Sequence, residues 1–408
     1  MTLFRHTINK PLRSMYYKPS KPLSLKSTPP TYPLEEERNP HYNPQKYYPA
    51  RIGETIGNRY RIISKLGWGA NSTAWLAKDI SRWPWQPTKY VTLKITNCGE
   101  GERKAAEDEL ELSQHISGLR SEHEGCGYVR LVEDSFEVQG ILGDHLCLVF
   151  EPLREPLWVL GRHLGSTNGV PPQVLKAFLR VILTDLKADN FLIGFEDVTI
   201  LDQYAHQQEA HPAPHVLRNG RPIYESRNDF GPLKRGVGLL RISDFSAAVF
   251  GDVSTPHNHD IQPQPFSAPE VLLKAGWSYS ADIWNLGTVL WELLADETLF
   301  DGLCEHRREY SRERHIAQMI RLLGLPPSRF LDKCDPCIRD GLFSGQGTFK
   351  FPELIPSEEF NFSNMTPFLC GEDKRLFIEF VRRMLQWEPE NRSSAKELYN
   401  DPWLCYEL

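Results

Sequence analysis

Four polar residues in two neighbouring segments have the types and order that phosphoryl transfer requires. Asp185, Lys187 and Asn190 stand at D-x-K-x-x-N spacing in VILTDLKADNFLIG, directly before an apolar, strand-like run, and Asp244 follows in LLRISDFSAAV. Phosphoryl transfer needs a carboxylate that accepts the proton of the attacking hydroxyl, a cation at the moving phosphate and oxygen ligands for Mg²⁺. Asp185, Lys187 and the pair Asn190 with Asp244 would supply these groups in that order.

An upstream segment, KLGWGANSTAWLAKD, has glycines that suit phosphate binding. Gly67, Gly69 and then Ser72 lie within a predicted strand, turn and strand. Glycines let backbone N–H groups approach phosphate oxygens that a Cβ would obstruct, although an ordinary hairpin turn has the same composition. Lys94 then interrupts the apolar strand VTLKI, and an ammonium group buried there needs an anion. Glu109 on the next predicted helix and phosphate are the candidates, and the alternative is an edge lysine that reaches solvent.

The elements that must position these residues fall into two regions. From Tyr60, the β-branched runs YRIISKLGWG, STAWLAKD and YVTLKIT predict an antiparallel sheet. Residues 101–118 predict a helix that ends at a glycine. After LCLVFEPL, helical patterns dominate; the clearest covers residues 280–296, and another runs through HIAQMIRLLG to Gly324. The fold class is therefore α+β, with a small β-rich lobe that carries one key helix and a larger α-rich lobe.

Composition and charge exclude several classes of protein. With 408 residues, 40% hydrophobic and 25% charged, the chain has a globular composition, and it lacks the 18 or so consecutive apolar residues of a membrane span. The net charge is −6, but residues 1–34 hold six basic and no acidic residues, which leaves −12 for the rest. An acidic body favours a basic protein partner over nucleic acid. Of the eight scattered cysteines only Cys334 and Cys337 are closely spaced; a zinc site would need a second such pair or a pair of histidines, so the cysteines predict reduced thiols in an intracellular protein.

The first 48 residues differ from the rest of the chain. Residues 1–48 are rich in proline, serine, threonine and basic residues, and predict a disordered tail. The acid-free, hydroxyl-bearing start also resembles a mitochondrial transit peptide. Prolines at positions 11, 19, 22, 29 and 30 would confine any amphipathic helix to the first ten residues.

Over residues 60–404 the chain resembles a eukaryotic serine/threonine protein kinase. The resemblance rests on the ordered segments GWGANS, VTLK, DLKADN, DFS and SAPE, with Glu109 between the second and third. A closer resemblance is to the fungal branch of the SR-protein-specific kinases. It rests on the segments KLGWG, STAWL, TDLKADN, APEVLL, GWSYSADIWNLG and RRMLQWEPENRSSAKELYNDPWL. The polar insert 203–240 is similar to that branch too. The resemblance implies a bilobal protein-kinase-like fold, with the N-lobe over residues 60–152 and the C-lobe over residues 153–404.

The same resemblance implies roles for single residues. Asp185 and Lys187 would be catalytic, while Asn190 and Asp244 would bind Mg²⁺. ATP would be bound by residues of the glycine segment, of the adjoining strands and of the connection between the lobes: Leu66, Gly67, Trp68, Gly69, Ala70, Ser72, Ala74, Thr92, Lys94, Glu109, Phe150, Glu151 and Leu153.

The resemblance also implies structural roles for three residues, and the sequence differs from the family in two places. Asp282 would hydrogen-bond to the catalytic-loop backbone, and Glu270 would pair with Arg392. Leu183 stands where the catalytic loop of the family usually begins with His. The preceding helix, PPQVLKAFLRVI, has about three turns, where roughly twice that length would traverse the lobe at ~1.5 Å per residue. This shortened αE region would displace Asp185, and catalysis by positioning tolerates little displacement.

The resemblance thus implies an ATP- and Mg²⁺-dependent serine/threonine protein kinase whose substrates are basic, Arg/Ser-rich proteins linked to mRNA splicing. It would be a monomer that contacts neither nucleic acid nor membrane, in the cytoplasm and nucleus, or in mitochondria if the tail is a transit peptide. The alternative, favoured by Leu183 and the short helix, is a catalytically impaired pseudokinase or truncated product that binds nucleotide or protein. A small-molecule phosphotransferase is disfavoured by the SAPE segment and by the C-terminal region.

Overall fold

The computed structural model describes residues 32–119, 124–164, 169–183, 191–218, 220–234, 236–251, 253–303 and 309–406. Its strands are β1 Thr55–Ile56, β2 Tyr60–Trp68, β3 Ser72–Asp79, β4 Tyr90–Thr96, β5 Val132–Gln139, β6 Asp144–Phe150, β7 Phe191–Ile193, β8 His215–Arg218, β9 Arg221–Tyr224 and β10 Leu240–Ile242. Its α-helices are α1 Glu100–Gly118, α2 Leu157–His163, α3 Pro172–Ile182, α4 Thr199–Ala210, α5 Pro269–Leu272, α6 Ser280–Ala295, α7 Arg312–Leu323, α8 Ser328–Leu331, α9 Pro336–Leu342, α10 Gly371–Met384, α11 Ala395–Tyr399 and α12 Pro402–Cys405.

The chain divides into two compact units, and the first is β-rich. Its described residues lie within the ranges Leu12–Pro156 and Asn190–Ala248. An antiparallel sheet in the order β1-β2-β3-β4-β6-β5 forms its centre, which confirms the predicted antiparallel sheet. One face of the sheet buries Ile62, Trp75 and Val149. Helix α1 packs its Ala106 against β6 and confirms the helix predicted over residues 101–118.

The segment that contains the polar insert belongs to this β-rich unit, which corrects its assignment to the C-lobe. Strand β7 pairs with β10, and the hairpin β8–β9 and helix α4 lie between them in the chain. Helix α4 buries Ile200, Leu201 and Tyr204 against Ile63 of β2 and Leu76 of β3. The insert therefore forms part of the core, because its few apolar residues lie on one face of α4 and cover the sheet.

Residues 32–48, named here the N-terminal strap, are folded, which corrects the disordered tail expected over residues 1–48. The strap contains two 3-10 helices, Glu35–Arg38 and Pro44–Lys46. Glu36 is 1% exposed and its carboxylate contacts both the ammonium group of Lys65 and the guanidinium group of Arg221. Burial of such a charge is tolerated only with partners of opposite charge, and composition cannot reveal partners so distant in sequence. Residues 1–31 lie outside the described residues.

The second unit is helical and is built around α6. Trp284 and Trp291 of α6 are 0% exposed, and the helix matches the buried one predicted over residues 280–296. Helix α7 ends at Gly324, which has φ of 80°, as predicted. Helix α3 has 11 residues, which confirms the predicted short helix, and Leu183 follows it as a buried residue. Asp282 lies in the first turn of α6, but its predicted partner, the catalytic loop, lies outside the described residues.

None of the helices in the described ranges combines the length and the apolar character needed to cross a membrane.

The structure brings Glu270 and Arg392 together in a buried ion pair within the helical unit. Nη1 and Nη2 of Arg392 each lie 2.6 Å from a carboxylate oxygen of Glu270, and both side chains are 0% exposed. Nη1 also donates to the carbonyl oxygen of Ser280, and the guanidinium lies 5.1 Å from the centroid of the Trp284 ring. The pair thus joins α5, the first turn of α6 and the segment after α10.

Replacing Arg392 by leucine should destabilise the protein strongly, because Glu270 would stay buried without a counter-charge. We expect Arg392→Leu to lower the free energy of unfolding by about 3–5 kcal/mol, measured by urea denaturation with tryptophan fluorescence. Arg375→Leu is the matched control, since Arg375 pairs with Glu372 and Glu379 on the surface of α10, and it should leave stability nearly unchanged. Equal losses in both variants would contradict this role of the pair.

Candidate functional site

Most of the residues predicted to bind nucleotide line one cavity of the β-rich unit. Of the described candidates, Ala70 and Glu151 do not line it. Asp185, Lys187 and Asn190 lie outside the described residues, so their roles stay predictions. The candidates that do line the cavity are Leu66, Gly67, Trp68, Gly69, Ser72, Ala74, Thr92, Lys94, Glu109, Phe150, Leu153 and Asp244.

The two glycines leave open space at the cavity. Gly67 pairs with Ala74 of β3, next to an irregularity in the register of β2. A Cβ built on Gly67 would meet no atom within 4 Å, and one on Gly69 would meet only the Ser72 hydroxyl, at 3.9 Å. The packing of the protein therefore does not require glycine at either position. The space that a Cβ would take is available to a ligand, as expected where backbone N–H groups approach phosphate.

Lys94 on β4 contacts two carboxylates from separate elements. Its ammonium nitrogen lies 2.7 Å from Glu109 of α1 and 2.8 Å from Asp244, which follows β10. Burial alone would lower the pKa of Lys94, but Asp244 and Glu109 outweigh it and raise that pKa. The backbone N–H of Phe245 donates to the other carboxylate oxygen of Glu109 at 3.2 Å. Since β4 pairs with β3 and β6 on its two sides, Lys94 is not an edge lysine.

Asp244 adopts a backbone conformation that is unusual for a residue with a side chain. Its φ is 64°, in the left-handed region that aspartate tolerates better than most residues. The hydroxyl of Ser246 donates to the Asp244 carboxylate at 2.9 Å. Burial acts to raise the pKa of Asp244, but Lys94 and Ser246 outweigh burial and lower that pKa to about 2. Asp244 is therefore ionised at neutral pH, with carboxylate oxygens suited to a divalent cation.

Arg130 lines the cavity and binds the backbone of the segment that follows β6. It donates from Nε to the carbonyl oxygen of Glu151 at 3.0 Å and from Nη1 to the Ser243 hydroxyl at 3.3 Å, and it lies 4.8 Å from the centroid of the Phe150 ring. Burial lowers the pKa of Arg130 to about 10, although Glu151 opposes that shift. The Glu151 carbonyl, predicted to meet adenine, instead accepts from both Nε and Nη2 of Arg130, and Glu151 does not line the cavity.

Sequence reasoning missed part of the cavity lining, including a contribution from the insert. The backbone N–H of Arg227 donates to the carbonyl oxygen of Lys65 at 2.8 Å, which holds this part of the insert beside β2. The Phe230 ring packs against the rings of Phe195 and Tyr204, with centroids 4.9 and 4.6 Å apart. Aromatic residues within a polar stretch were the available signal. The missed lining residues are Arg130, Arg154, Glu155, Pro156, Leu192, Asn228, Phe230 and Ser243.

Comparison with known proteins agrees with this geometry. The sequence model of the protein kinase domain matches residues 60–404. A serine/threonine protein kinase of Aspergillus fumigatus is 35% identical over 387 residues, which cover 91% of each chain. The serine/threonine-protein kinase SRPK of Physarum polycephalum is 29% identical over 409 residues, which cover 91% of this chain and 92% of that protein.

A solved structure shows the same fold. The crystal structure of a kinase domain superposes on this chain with a TM-score of 0.62 at 22% identity, and the match covers 88% of this chain and 99% of the other.

Protein kinase dsk1 of Schizosaccharomyces pombe is 25% identical over 477 residues, which cover 90% of this chain and 85% of that protein. These relatives do not support the pseudokinase alternative.

Lys94 pairs with Glu109 and Asp244 at the same time, so loss of the Glu109 charge should leave its ammonium group paired with Asp244 alone. We expect Glu109→Gln to lower the phosphoryl-transfer rate about 10- to 100-fold, which corresponds to loss of one charge-assisted hydrogen bond, measured as kcat/KM for ATP. Glu107→Gln on the same helix is the control, because Glu107 pairs only with the exposed Arg103 among the contacts described for it. Its kcat/KM should match the wild type; a Glu109→Gln value equal to the wild type would contradict the account.

Proposed function

Because this chain belongs to the protein kinase domain family and is a serine/threonine protein kinase, we propose that it transfers the γ-phosphate of ATP, bound with Mg²⁺, to basic proteins rich in arginine and serine. One observation carries the nucleotide part of the proposal. Lys94, Glu109 and Asp244 converge on a cavity that is also lined by Gly67 and Gly69.

In the proposed reaction each residue acts on an identified atom. ATP supplies the γ-phosphoryl group. Lys94, oriented by Glu109, would bind phosphate oxygens, and Asp244 would supply carboxylate oxygen to Mg²⁺ together with the amide oxygen of Asn190. Asp185 would accept the proton of the substrate hydroxyl. The hydroxyl oxygen would then bond to the γ-phosphorus, while the bond between the γ-phosphorus and the oxygen that leaves with ADP breaks.

The proposed substrate class has two kinds of support. The relative from Physarum polycephalum is named SRPK, and the motifs of this chain resemble the SR-protein-specific kinases. The chain beyond its first 34 residues also carries a net charge of −12, and opposite charge speeds the encounter with a basic substrate and favours it over an acidic one.

The proposal is tested by following labelled γ-phosphate into matched peptides. One peptide alternates arginine and serine; the second keeps every serine and replaces each arginine by glutamine. We expect the wild-type enzyme to label the first peptide about tenfold faster than the second, since each ~1.4 kcal/mol of lost charge attraction is tenfold. Asp185→Asn should lower labelling about 10²- to 10⁴-fold, the usual contribution of a general base.

Asp189→Asn is the matched control for this experiment. Asp189 lies in the same DLKADN segment but outside the D-x-K-x-x-N set, and its replacement should leave the rate unchanged. Equal labelling by the wild type and Asp185→Asn would refute the catalytic role of Asp185. Equal labelling of the two peptides would refute the substrate class while leaving phosphoryl transfer intact.

A further inference from the structure

Three side-chain amide or hydroxyl groups converge on a single backbone carbonyl in the turn between β2 and β3. The Tyr47 hydroxyl donates to the carbonyl oxygen of Ala70 at 3.1 Å, Asn39 donates to it from Nδ2 at 3.4 Å, and Asn97, at the end of β4, donates from Nδ2 at 3.3 Å. The Tyr47 hydroxyl also lies 3.4 Å from the carbonyl oxygen of Gly69. Two of the three donors belong to the N-terminal strap, so the strap binds the glycine turn directly.

Buried charges hold the N-terminal strap in place. Glu36 lies between Lys65 of β2 and Arg221 of β9. Glu35 lies 3.4 Å from Lys65 and accepts hydrogen bonds from the backbone N–H and the hydroxyl of Ser226. Lys65 is 1% exposed, so detachment of the strap would leave a buried ammonium group without its carboxylates, which is costly. The strap is therefore a fixed support for β2.

The same network orients the Tyr47 ring. Tyr47 is 4% exposed, and its ring centroid lies 5.0 Å from the Arg221 guanidinium and 5.3 Å from the Tyr42 ring. The preceding residue in the strap, Lys46, pairs with Glu102 of α1 at 2.9 Å. The Tyr47 hydroxyl also interacts with the side chains of Asn97 and Asn39, which themselves donate to the carbonyl oxygen of Ala70.

We propose that Tyr47 is a positioning residue for the nucleotide, which holds the Gly69–Ala70 turn in the conformation that binds phosphate. The inference rests on the proposed function, since it assigns to the N-terminal strap a role in the ATP affinity of the same cavity. A glycine turn without tethers samples many conformations, and ATP would have to select one of them at the expense of affinity. A turn that is tethered before ATP arrives avoids most of that loss.

The test compares Tyr47→Phe with Tyr42→Phe. Each change removes one hydroxyl from the N-terminal strap. The Tyr47 hydroxyl donates to the glycine turn, whereas the Tyr42 hydroxyl accepts from Arg221 at 2.8 Å and does not contact the turn. We expect Tyr47→Phe to raise the KM for ATP about three- to tenfold, the equivalent of one hydrogen bond, with kcat within about twofold of the wild type. Tyr42→Phe should leave both constants unchanged.

A second measurement needs neither ATP nor catalysis. Hydrogen–deuterium exchange of the peptide over residues 66–72 should be faster in Tyr47→Phe than in the wild type and in Tyr42→Phe. Unchanged exchange and unchanged KM in Tyr47→Phe would overturn the inference, as would equal changes in the two variants, which would indicate general loosening of the strap. If the wild type transferred no phosphate, the proposed function would fail, and the exchange rates would still decide whether Tyr47 tethers the turn.

Discussion

The ammonium group of Lys94 lies within 2.8 Å of the carboxylates of Glu109 and Asp244, and the three residues belong to β4, to α1 and to the segment after β10. Taking such charges out of water is costly unless they stay paired. A shift of α1 or of the Asp244 segment would therefore separate opposite charges, one of which, Glu109, is buried. The position of α1 is set in turn by apolar packing, since Ala106 lies against Leu148 and Phe150 of β6. Hydrophobic contact and charge pairing thus require the same arrangement.

The glycine segment is supported in the same way from other directions. Strand β2 carries Lys65 two residues before Gly67, and Lys65 is neutralised by Glu36 of the N-terminal strap. The insert adds a backbone hydrogen bond from Arg227 to Lys65 and packs α4 on the sheet. The sheet, the strap and the insert therefore hold the strand that leads into the glycine segment.

The sequence predicted the features that depend on local pattern. Alternation identified β2, β3 and β4, and helical periodicity identified α1, α6 and α7, because these patterns arise within one element. The buried strand position of Lys94 indicated Glu109 as a partner, and the resemblance to protein kinases implied the pair Glu270 with Arg392; the structure places each pair in contact.

Features that depend on partners distant in the chain could not be found in this way. Glu36 and Arg221 are 185 positions apart, so nothing in the local composition of residues 1–48 revealed that the N-terminal strap is anchored by buried charge. The lining contributed by Arg130 and Phe230 arises from the tertiary fold as well. A polar composition correctly describes the surface of the insert but not the few apolar residues with which it joins the core.

The central claim is that Asp244, held by Lys94 and Ser246, makes this cavity a site for ATP with a divalent cation. Calorimetric titration of the wild type and of Asp244→Asn with ATP, with and without Mg²⁺, tests it most directly, and Asp260→Asn, whose carboxylate pairs with Lys274 on the surface, serves as control. The account predicts that Mg²⁺ strengthens ATP binding in the wild type and the control, and that most of this gain disappears in Asp244→Asn. An equal gain in all three proteins, or no binding of ATP by the wild type, would contradict it.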